Sequence, residues 1–331
     1  MMTDRQANRR ALRAALLLLG VSVAALFALW ALCIRMPGES HQGALPPSDA
    51  ALRESAARLE RVVTELSTTI GERNLERPES LERAAVYLEA ELIQLGYRVE
   101  SQRFQAGGVP CRNLLTTLPA AAGSDIFVFG AHYDSALGSP AANDNGSGVA
   151  ALLELARAVR GRRLHETLRF ELYTNEEPPH FQTPDMGSVH AAAAGARVAA
   201  MFSLETLGYY DDHEGAQRYP SPLAWFYPAR GDFVAFVGNY ASRELLRAAI
   251  GSFRRHEAFP SEGGALPGFL PGVGWSDHWA YWQQGVPAIM LTDTALFRDP
   301  AYHTPGDLPR RLSFERLARV VRGLSALVSE L

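Results

Sequence analysis

The hydrophobic pattern of the chain has two parts: one long uncharged run near the N-terminus, and apolar residues at regular intervals in the segments that follow. Residues 14–34 contain no charged side chain. From about residue 51, apolar residues recur every three or four positions in "LRESAARLERVVTEL" and "SLERAAVYLEAELIQLG", which is the period of an amphipathic helix. In the second of these helices we expect Ser80 to be the N-cap and Gly96 to mark the end.

Further along, short β-rich runs alternate with helical ones. The β-rich runs are "DIFVFGA", "TLRFELYT", "VAAMFSLE", "DFVAFVG" and "VPAIMLT", and the helical ones are "GVAALLELARAVRG", "SVHAAAAGAR", "SRELLRAAIGSFRR" and residues 313–331. This alternation predicts an α/β fold with a mostly parallel central sheet and helices on both faces. The Gly- and Pro-rich segment 259–275 predicts a long surface loop.

The apolar run at residues 14–34 has the length of a membrane-spanning helix. About 20 apolar residues are needed to cross about 30 Å of hydrocarbon. A cleaved signal peptide is the alternative, but its apolar region is about 7–15 residues long and ends at small residues. This run is longer and ends in "LWALCI". We therefore expect one N-terminal transmembrane helix.

The charges beside this run predict its orientation. Arg5, Arg9, Arg10 and Arg13 precede the run, whereas only Arg35 follows it closely. The positive-inside rule therefore predicts a cytoplasmic stub at residues 1–13, with the remaining chain extracytoplasmic, either periplasmic or extracellular. Residues 35–50, rich in Pro, Gly and Ser, are expected to form a linker before a folded domain at residues 51–331.

Composition narrows the class of protein. The chain has 331 residues, 47% of them hydrophobic, which is enough for a large core, and its net charge is −4. Such mild acidity provides no positive field, so we expect no nucleic-acid partner. All 32 basic residues are arginine, a bias typical of GC-rich bacterial genes. Cys33 and Cys111 are not expected to form a disulfide, and nothing in the sequence predicts an oligomeric state.

Histidines and carboxylates cluster at the ends of the predicted strands. His132 and Asp134 stand at the end of "DIFVFGA", and residues two apart in a strand share a face. Asp144 precedes a predicted helix. The remaining members of this group follow other strands: Glu176, Glu177, Glu205 and His303. Ligands bind at this edge in open α/β sheets, and mixed imidazole and carboxylate donors suit zinc.

Six motifs occur in order between about Ile70 and Asp307: "GAHYDS", "NDNGSG", "NEE", "SLETLGYY", "SDH" and "YHTPGD". In these six motifs and their order, the chain resembles the M28 family of zinc peptidases, which includes co-catalytic di-zinc aminopeptidases. The resemblance implies two zinc ions and a peptide substrate. It implies the following metal ligands: His132 and Glu205 for one zinc, Glu177 and His303 for the other, and Asp144 bridging both.

The same resemblance implies roles for three further carboxylates. Glu176 would be the general base, and Asp134 would hold His132 in the tautomer that binds metal. Asp277 of "SDH" would support the site in a similar way. His180, His190 and His278 are expected to have surface or packing roles, and the aromatic residues of "WAYWQQG" are expected to pack in the core.

The chain departs from the family pattern at two places. Glu205 stands where many di-zinc members have Asp, and the longer side chain puts occupancy of both sites in doubt. The segment "EEPPHFQTPDMGS" inserts Pro and aromatic residues where a compact "EE" followed by Gly is common. We expect this loop to shape the substrate pocket.

These features favour a membrane-anchored zinc peptidase, most simply an aminopeptidase. Two alternatives stay open: a glutaminyl-cyclase-like acyltransferase with a single zinc, and an M28-like ectodomain with an inactive site. The motifs do not distinguish aminopeptidase from carboxypeptidase action and do not identify the preferred residue.

Overall fold

The computed structural model describes residues 4–120, 125–195 and 197–330, and only the backbone of residues 4–11. Residues 1–3 of the expected cytoplasmic stub, and Leu331 of the expected last helix, lie outside the described residues. The chain forms two compact units, which divide between Arg35 and Met36.

The first unit is a single helix. Helix α1 (Asp4–Cys33) contains a stretch, Leu12–Cys33, of 22 residues that is long and apolar enough to cross a membrane. A signal sequence at an N-terminus meets the same criteria, so length and composition alone leave both interpretations open.

The second unit contains the remaining elements found in the described residues. Its helices are α2 (Ala50–Thr64), α3 (Pro78–Gln94), α4 (Gly148–Val159), α5 (Gly187–Ala192), α6 (Arg243–His256), α7 (His278–Gln283), α8 (Ala295–Arg298) and α9 (Phe314–Val328). Its strands are β1 (Val99–Ala106), β2 (Val109–Leu118), β3 (Ile126–His132), β4 (Thr167–Tyr173), β5 (Val198–Glu205), β6 (Val234–Gly238), β7 (Ser261–Ala265) and β8 (Ala288–Thr292).

The strands form one sheet in the order β1-β2-β4-β3-β5-β8-β6-β7. Strands β4, β3, β5 and β8 are parallel to one another and form the centre of the sheet. Strands β6 and β7 form a further parallel pair at one edge. The pairs β1/β2, β2/β4 and β6/β8 are antiparallel. The predicted α/β architecture with a parallel central sheet is confirmed.

Helices cover both faces of the sheet because alternate strand residues point to opposite sides. Phe129 and Phe202 stack at 4.6 Å in the larger core, beneath helices α2, α4, α6 and α9. Val128 and Met201 belong to a smaller core with residues of α5 and α7. Tyr281 is buried there, in agreement with the packing role expected for the "WAYWQQG" segment.

Three local expectations are corrected. Strands β1 and β2 are not predicted, because β1 exposes the charged Glu100 and Arg103 and β2 buries the polar Arg112 and Asn113, which hides the apolar pattern of both. Part of the expected loop 259–275 is strand β7, whose glycines allow close packing but carry no β signal. Helix α3 begins before Ser80, since Pro78 at its first position has a φ suited to helix initiation. Gly96, with φ of +81°, does follow the helix end.

The segment 36–49 has no helix or strand but packs against other parts of the second unit. Met36 is buried, and it would collide with a side chain at position 263, where the distance from a Cβ would be 2.8 Å. The Ser40 Oγ accepts a hydrogen bond from the Ser261 backbone N–H at 2.9 Å. Asp49 caps α2 by accepting from Leu52 N at 2.7 Å.

Candidate functional site

The parallel centre of the sheet brings the predicted site residues to one edge. His132 is the last residue of β3 and Glu205 is the last residue of β5. Glu176 and Glu177 follow β4 closely, and His303 follows β8. Because parallel strands end at the same edge, these side chains meet although they are distant in sequence.

Asp144 lies between two groups of side chains. Its Oδ1 is 3.3 Å from His132 Nε2, and that nitrogen is 3.3 Å from Glu205 Oε2. Its Oδ2 is 2.9 Å from His303 Nε2, and that nitrogen is 3.1 Å from Glu177 Oε2. One carboxylate therefore joins two sets, each containing one further carboxylate and one imidazole.

Asp134 and Glu176 lie beside this arrangement. Asp134 Oδ1 is 3.4 Å from His132 Nδ1, and the same carboxylate accepts hydrogen bonds from the backbone N–H groups of Glu176 and Glu177 at 3.2 and 3.1 Å. Glu176 Oε2 is 3.9 Å from His132 Nε2. Asp134 thus connects the segment after β3 to the turn after β4. The sequence analysis did not predict these backbone hydrogen bonds.

Burial and repulsion dominate the electrostatics. Burial, reinforced by the charge of Asp144, raises the pKa of Glu177 and of Glu205 to about 7. Burial also raises the pKa of Glu176 well above its ordinary value. Burial alone would lower the pKa of His303, but hydrogen bonds to Asp144 and Glu177 raise it to about 10. The site is therefore one in which a cation would relieve repulsion among carboxylates.

The donor set fits a divalent metal ion. One ligand atom each of His132, Asp144 and Glu177 lie within 4.8 Å of one another. Both ring nitrogens of His132 and Oε1 of Glu177 are buried without a hydrogen-bond partner in the described part of the chain. Leaving such atoms unsatisfied is costly, and imidazole with carboxylate oxygen is a donor set that zinc binds. These residues could therefore hold a metal.

Backbone strain concentrates around the site. In the described residues, positive φ occurs at six non-glycine positions: Ala141, Asn175, Gln182, Thr206, Thr294 and His303. Asn175 precedes Glu176, Thr206 follows Glu205, and His303 is itself one of the predicted residues. Such conformations cost about 1–3 kcal/mol each and persist where surrounding contacts enforce them, as they do at functional sites.

Asp307 and Ser276 support the site and were not singled out from the sequence. Asp307 accepts hydrogen bonds from the backbone N–H groups of Asn143 and Asp144 at 2.7 and 3.0 Å. Ser276 Oγ donates to Glu205 Oε2 at 2.7 Å. Both residues belong to motifs already recognised, "YHTPGD" and "SDH", so their neighbourhood was the available signal.

Arg73 is a fully buried arginine beside the loop that leads from β3 to Asp144, and none of the sequence motifs includes it. Its guanidinium donates to five backbone carbonyls, those of Leu66, Gly71, Tyr133, Pro140 and Ala141. Burial lowers its pKa to about 10, while nearby carboxylates, Asp134 first, oppose that shift. Arg73 fixes the chain between β3 and Asp144.

The other candidates lie around this centre. Asp277 is buried, which raises its pKa to about 7. His278 is also buried, and its Nε2 is 2.8 Å from the Val273 carbonyl. His190 stacks on Phe104 at 4.0 Å, and His180 lies 3.7 Å from Asp185. Each of these three histidines therefore contacts a group outside the set of side chains around Asp144.

An apolar cavity of about 850 Å³, including its open mouth, borders the site. Glu205 and Tyr302 line the end nearest the predicted ligands. Its remaining wall includes Phe233, Met290 and Leu296. No residue of the inserted loop at 176–188 lines the cavity, but Gln182 Nε2 donates to the carbonyl of Gly274 at 3.3 Å, between the lining residues Val273 and Trp275.

Residues 113–328 match the model of peptidase family M28. The chain belongs to this family. An uncharacterized protein, YfbL, from Escherichia coli is 39% identical over 284 residues, which cover 83% of this chain and 88% of that protein. A probable leucine aminopeptidase from Arthroderma otae is 25% identical over 228 residues, covering 64% of this chain and 55% of that protein.

Solved structures share the fold. The zinc aminopeptidase BSAP from Bacillus subtilis has a TM-score of 0.68 at 16% identity, covering 87% of this chain and 96% of that chain. Glutaminyl cyclase from Porphyromonas gingivalis has a TM-score of 0.61 at 18% identity, covering 83% of this chain and 98% of that chain.

Proposed function

We propose that the protein is a membrane-anchored, zinc-dependent aminopeptidase. The observation that carries this proposal is the position of Asp144, whose two oxygens lie 3.3 and 2.9 Å from the nitrogens of His132 and His303. A carboxylate shared between two imidazole and carboxylate sets is suited to bridging two metal ions. Membership of a peptidase family supports hydrolysis of peptide bonds as the reaction.

Five residues would hold the metal. His132 and Glu205 would bind one zinc, Glu177 and His303 the other, with Asp144 between them. When bound, zinc supplies a Lewis acid that acidifies water and polarises a carbonyl group. Ser276 would orient Glu205 through its 2.7 Å hydrogen bond, which compensates for the longer arm of a glutamate at this position.

Glu176 would act as the general base. Its carboxylate lies beside His132 but outside the shared contacts of Asp144. Burial and the charges of Glu205 and Glu177 raise its pKa, so it can take a proton from the attacking water and return it to the leaving amine. Asp134 would keep the Nδ1 proton of His132 in place, leaving Nε2 free to bind metal.

The second enzyme candidate is a glutaminyl-cyclase-like acyltransferase with a single zinc. The observation in its favour is the fold that this chain shares with a glutaminyl cyclase, at a TM-score of 0.61. Aminopeptidase action is the better supported proposal, because the family relatives with a named activity include probable leucine aminopeptidases. An apolar cavity beside Glu205 would accommodate the side chain of an N-terminal residue.

We further propose that residues 14–34 span a membrane with residues 1–13 in the cytoplasm. The peptidase domain at residues 51–331, after a linker at 35–50, would then face the periplasm or the extracellular space. The apolar length of α1 and the preceding arginines support this topology.

The test uses the full chain purified in detergent. We would measure zinc per chain together with amino-acid release from peptides with free and with acetylated N-termini, and cyclisation of an N-terminal glutamine peptide. Two zinc ions with cleavage of free N-termini alone would establish the aminopeptidase. One zinc with cyclisation would establish the alternative, and binding without turnover of either kind would indicate an inactive site.

A further inference from the structure

The cavity follows one row of residues across the sheet. Strand register pairs Glu205 with Thr292, Thr292 with Ala235, and Ala235 with Glu262. Paired residues in neighbouring strands point to the same face, and all four line the cavity. A single row therefore connects a proposed zinc ligand at one end to a carboxylate at the other.

This row sets the length of the cavity. Neighbouring strands are about 4.8 Å apart, so the three steps from Glu205 to Glu262 span about 14 Å between the Cα atoms. Ala235 is the small residue in the row and leaves space above the sheet. A side chain must be long to approach Glu262 while its own carbonyl group remains beside Glu205.

The walls along this path are apolar and aromatic. Phe233, Met290 and Leu266 line the cavity, and Tyr219 and Tyr227 stack with their ring centroids 5.6 Å apart. The hydroxyl groups of these two tyrosines donate to backbone carbonyls, which leaves ring surface rather than polar groups toward the cavity. Aromatic faces attract cations as well as aliphatic chains.

Glu262 is the charged group at the far end. It is partly buried, and burial raises the pKa of its carboxyl group. No ion pair of Glu262 with an arginine or a histidine is found among the described residues, and its carboxyl group has a side-chain hydrogen bond with Ser40. Arg254 is the nearby cation, but its guanidinium donates to Ser261 and to the carbonyls of Pro37 and Gly38. The other neighbours of Glu262 are Ser40 and the acidic Asp232.

We propose that Glu262 selects N-terminal residues with long cationic side chains, namely arginine and lysine. The proposal rests on the aminopeptidase function proposed above. The aliphatic stem lies along the row above Ala235 and between the apolar walls. The cationic end meets Glu262, whose charge lacks a close ionic partner and is therefore stabilised by the incoming group. Short or acidic side chains gain nothing from this contact.

The test compares substrates that differ only in charge. We would measure kcat/KM of the full-length enzyme for peptides that begin with arginine or with citrulline, its neutral isostere, and for peptides that begin with lysine or norleucine. We expect the charged member of each pair to be preferred by about tenfold or more, as for a hydrogen bond to a charged group. Glu262→Gln should reduce both ratios toward one, and Glu262→Asp should retain part of the preference.

Glu214→Gln is the matched control, because it removes the same charge from an exposed position outside the cavity lining and should retain both ratios. Wild-type ratios near one, or ratios that Glu262→Gln leaves unchanged, would overturn the selectivity proposal while leaving the aminopeptidase intact. If no peptide with a free N-terminus is cleaved, the proposed function fails and the selectivity proposal fails with it.

Discussion

At the scale of single residues, Glu176 and Glu177 are adjacent glutamates whose carboxylates lie in different positions relative to the two imidazoles of the site. Glu177 Oε2 is 3.1 Å from His303 Nε2, whereas Glu176 Oε2 is 3.9 Å from His132 Nε2. Asp134 accepts hydrogen bonds from both backbone N–H groups and so holds the turn that carries the two side chains.

This difference predicts opposite phenotypes for a matched pair of variants. Glu176→Gln should keep zinc and lose about 10²–10⁴-fold in kcat, because the amide cannot accept the proton from water. Glu177→Gln should lose zinc affinity, since a neutral amide is a weaker ligand than a carboxylate. Metal content and steady-state kinetics on both proteins check this, and normal turnover by Glu176→Gln would remove it from the base role.

Ser276 offers a second prediction at this scale. Its Oγ donates to Glu205 Oε2 and is 2.7 Å from Ser203 Oγ, which orients the longer acidic side chain. Ser276→Ala should weaken binding of one zinc by about 10–100-fold and leave the other unchanged. A zinc titration that follows both binding steps measures this, and two unaffected affinities would contradict the orienting role.

At the scale of elements, the sequence predicted the amphipathic helices and the central strands, whose residues form apolar runs or alternate apolar with polar types. Strands β3 and β5 are almost entirely buried and read directly as apolar runs. Strand β7, "SEGGA", owes its position to close packing of Met36 and Tyr227 on its glycines, which local pattern cannot reveal. The motifs indicated the clustered site residues. Arg73 could not be predicted from the sequence, because its role depends on tertiary contacts with distant backbone carbonyls.

Arg73 supplies the prediction for this scale. Arg73→Lys should destabilise the protein by more than about 3 kcal/mol, because an ammonium group cannot reproduce the planar set of donors that bind five carbonyls. Arg77→Lys, an exposed change in the same segment, should alter stability by less than about 0.5 kcal/mol. Denaturant unfolding compares the two, and equal midpoints would show that Arg73 is not the anchor of this loop.

At the scale of the whole molecule, the segment that is expected to be a linker makes contacts with residues of the peptidase domain. Residues 36–49 have no regular structure, yet Met36 is buried and Arg319 donates to the Pro46 carbonyl at 2.5 Å. Their contacts with α6, β7 and α9 come from residues far away in the sequence, which explains why composition alone favours a linker.

Truncation tests these contacts. A protein that begins at Met36 should unfold at a temperature at least about 5 °C higher than one that begins at Ala50, because the shorter form loses the buried Met36 and the Asp49 cap of α2. Thermal scans at equal concentration compare them. Identical midpoints would show that the segment adds nothing to the stability of the domain.

The site gathers side chains from His132 to His303, so its parts are contributed by most of the chain. A nascent polypeptide, or a fragment cut short, lacks the last imidazole and cannot complete the arrangement. Hydrolytic activity would then arise only after residue 303 has been synthesised and the chain has folded.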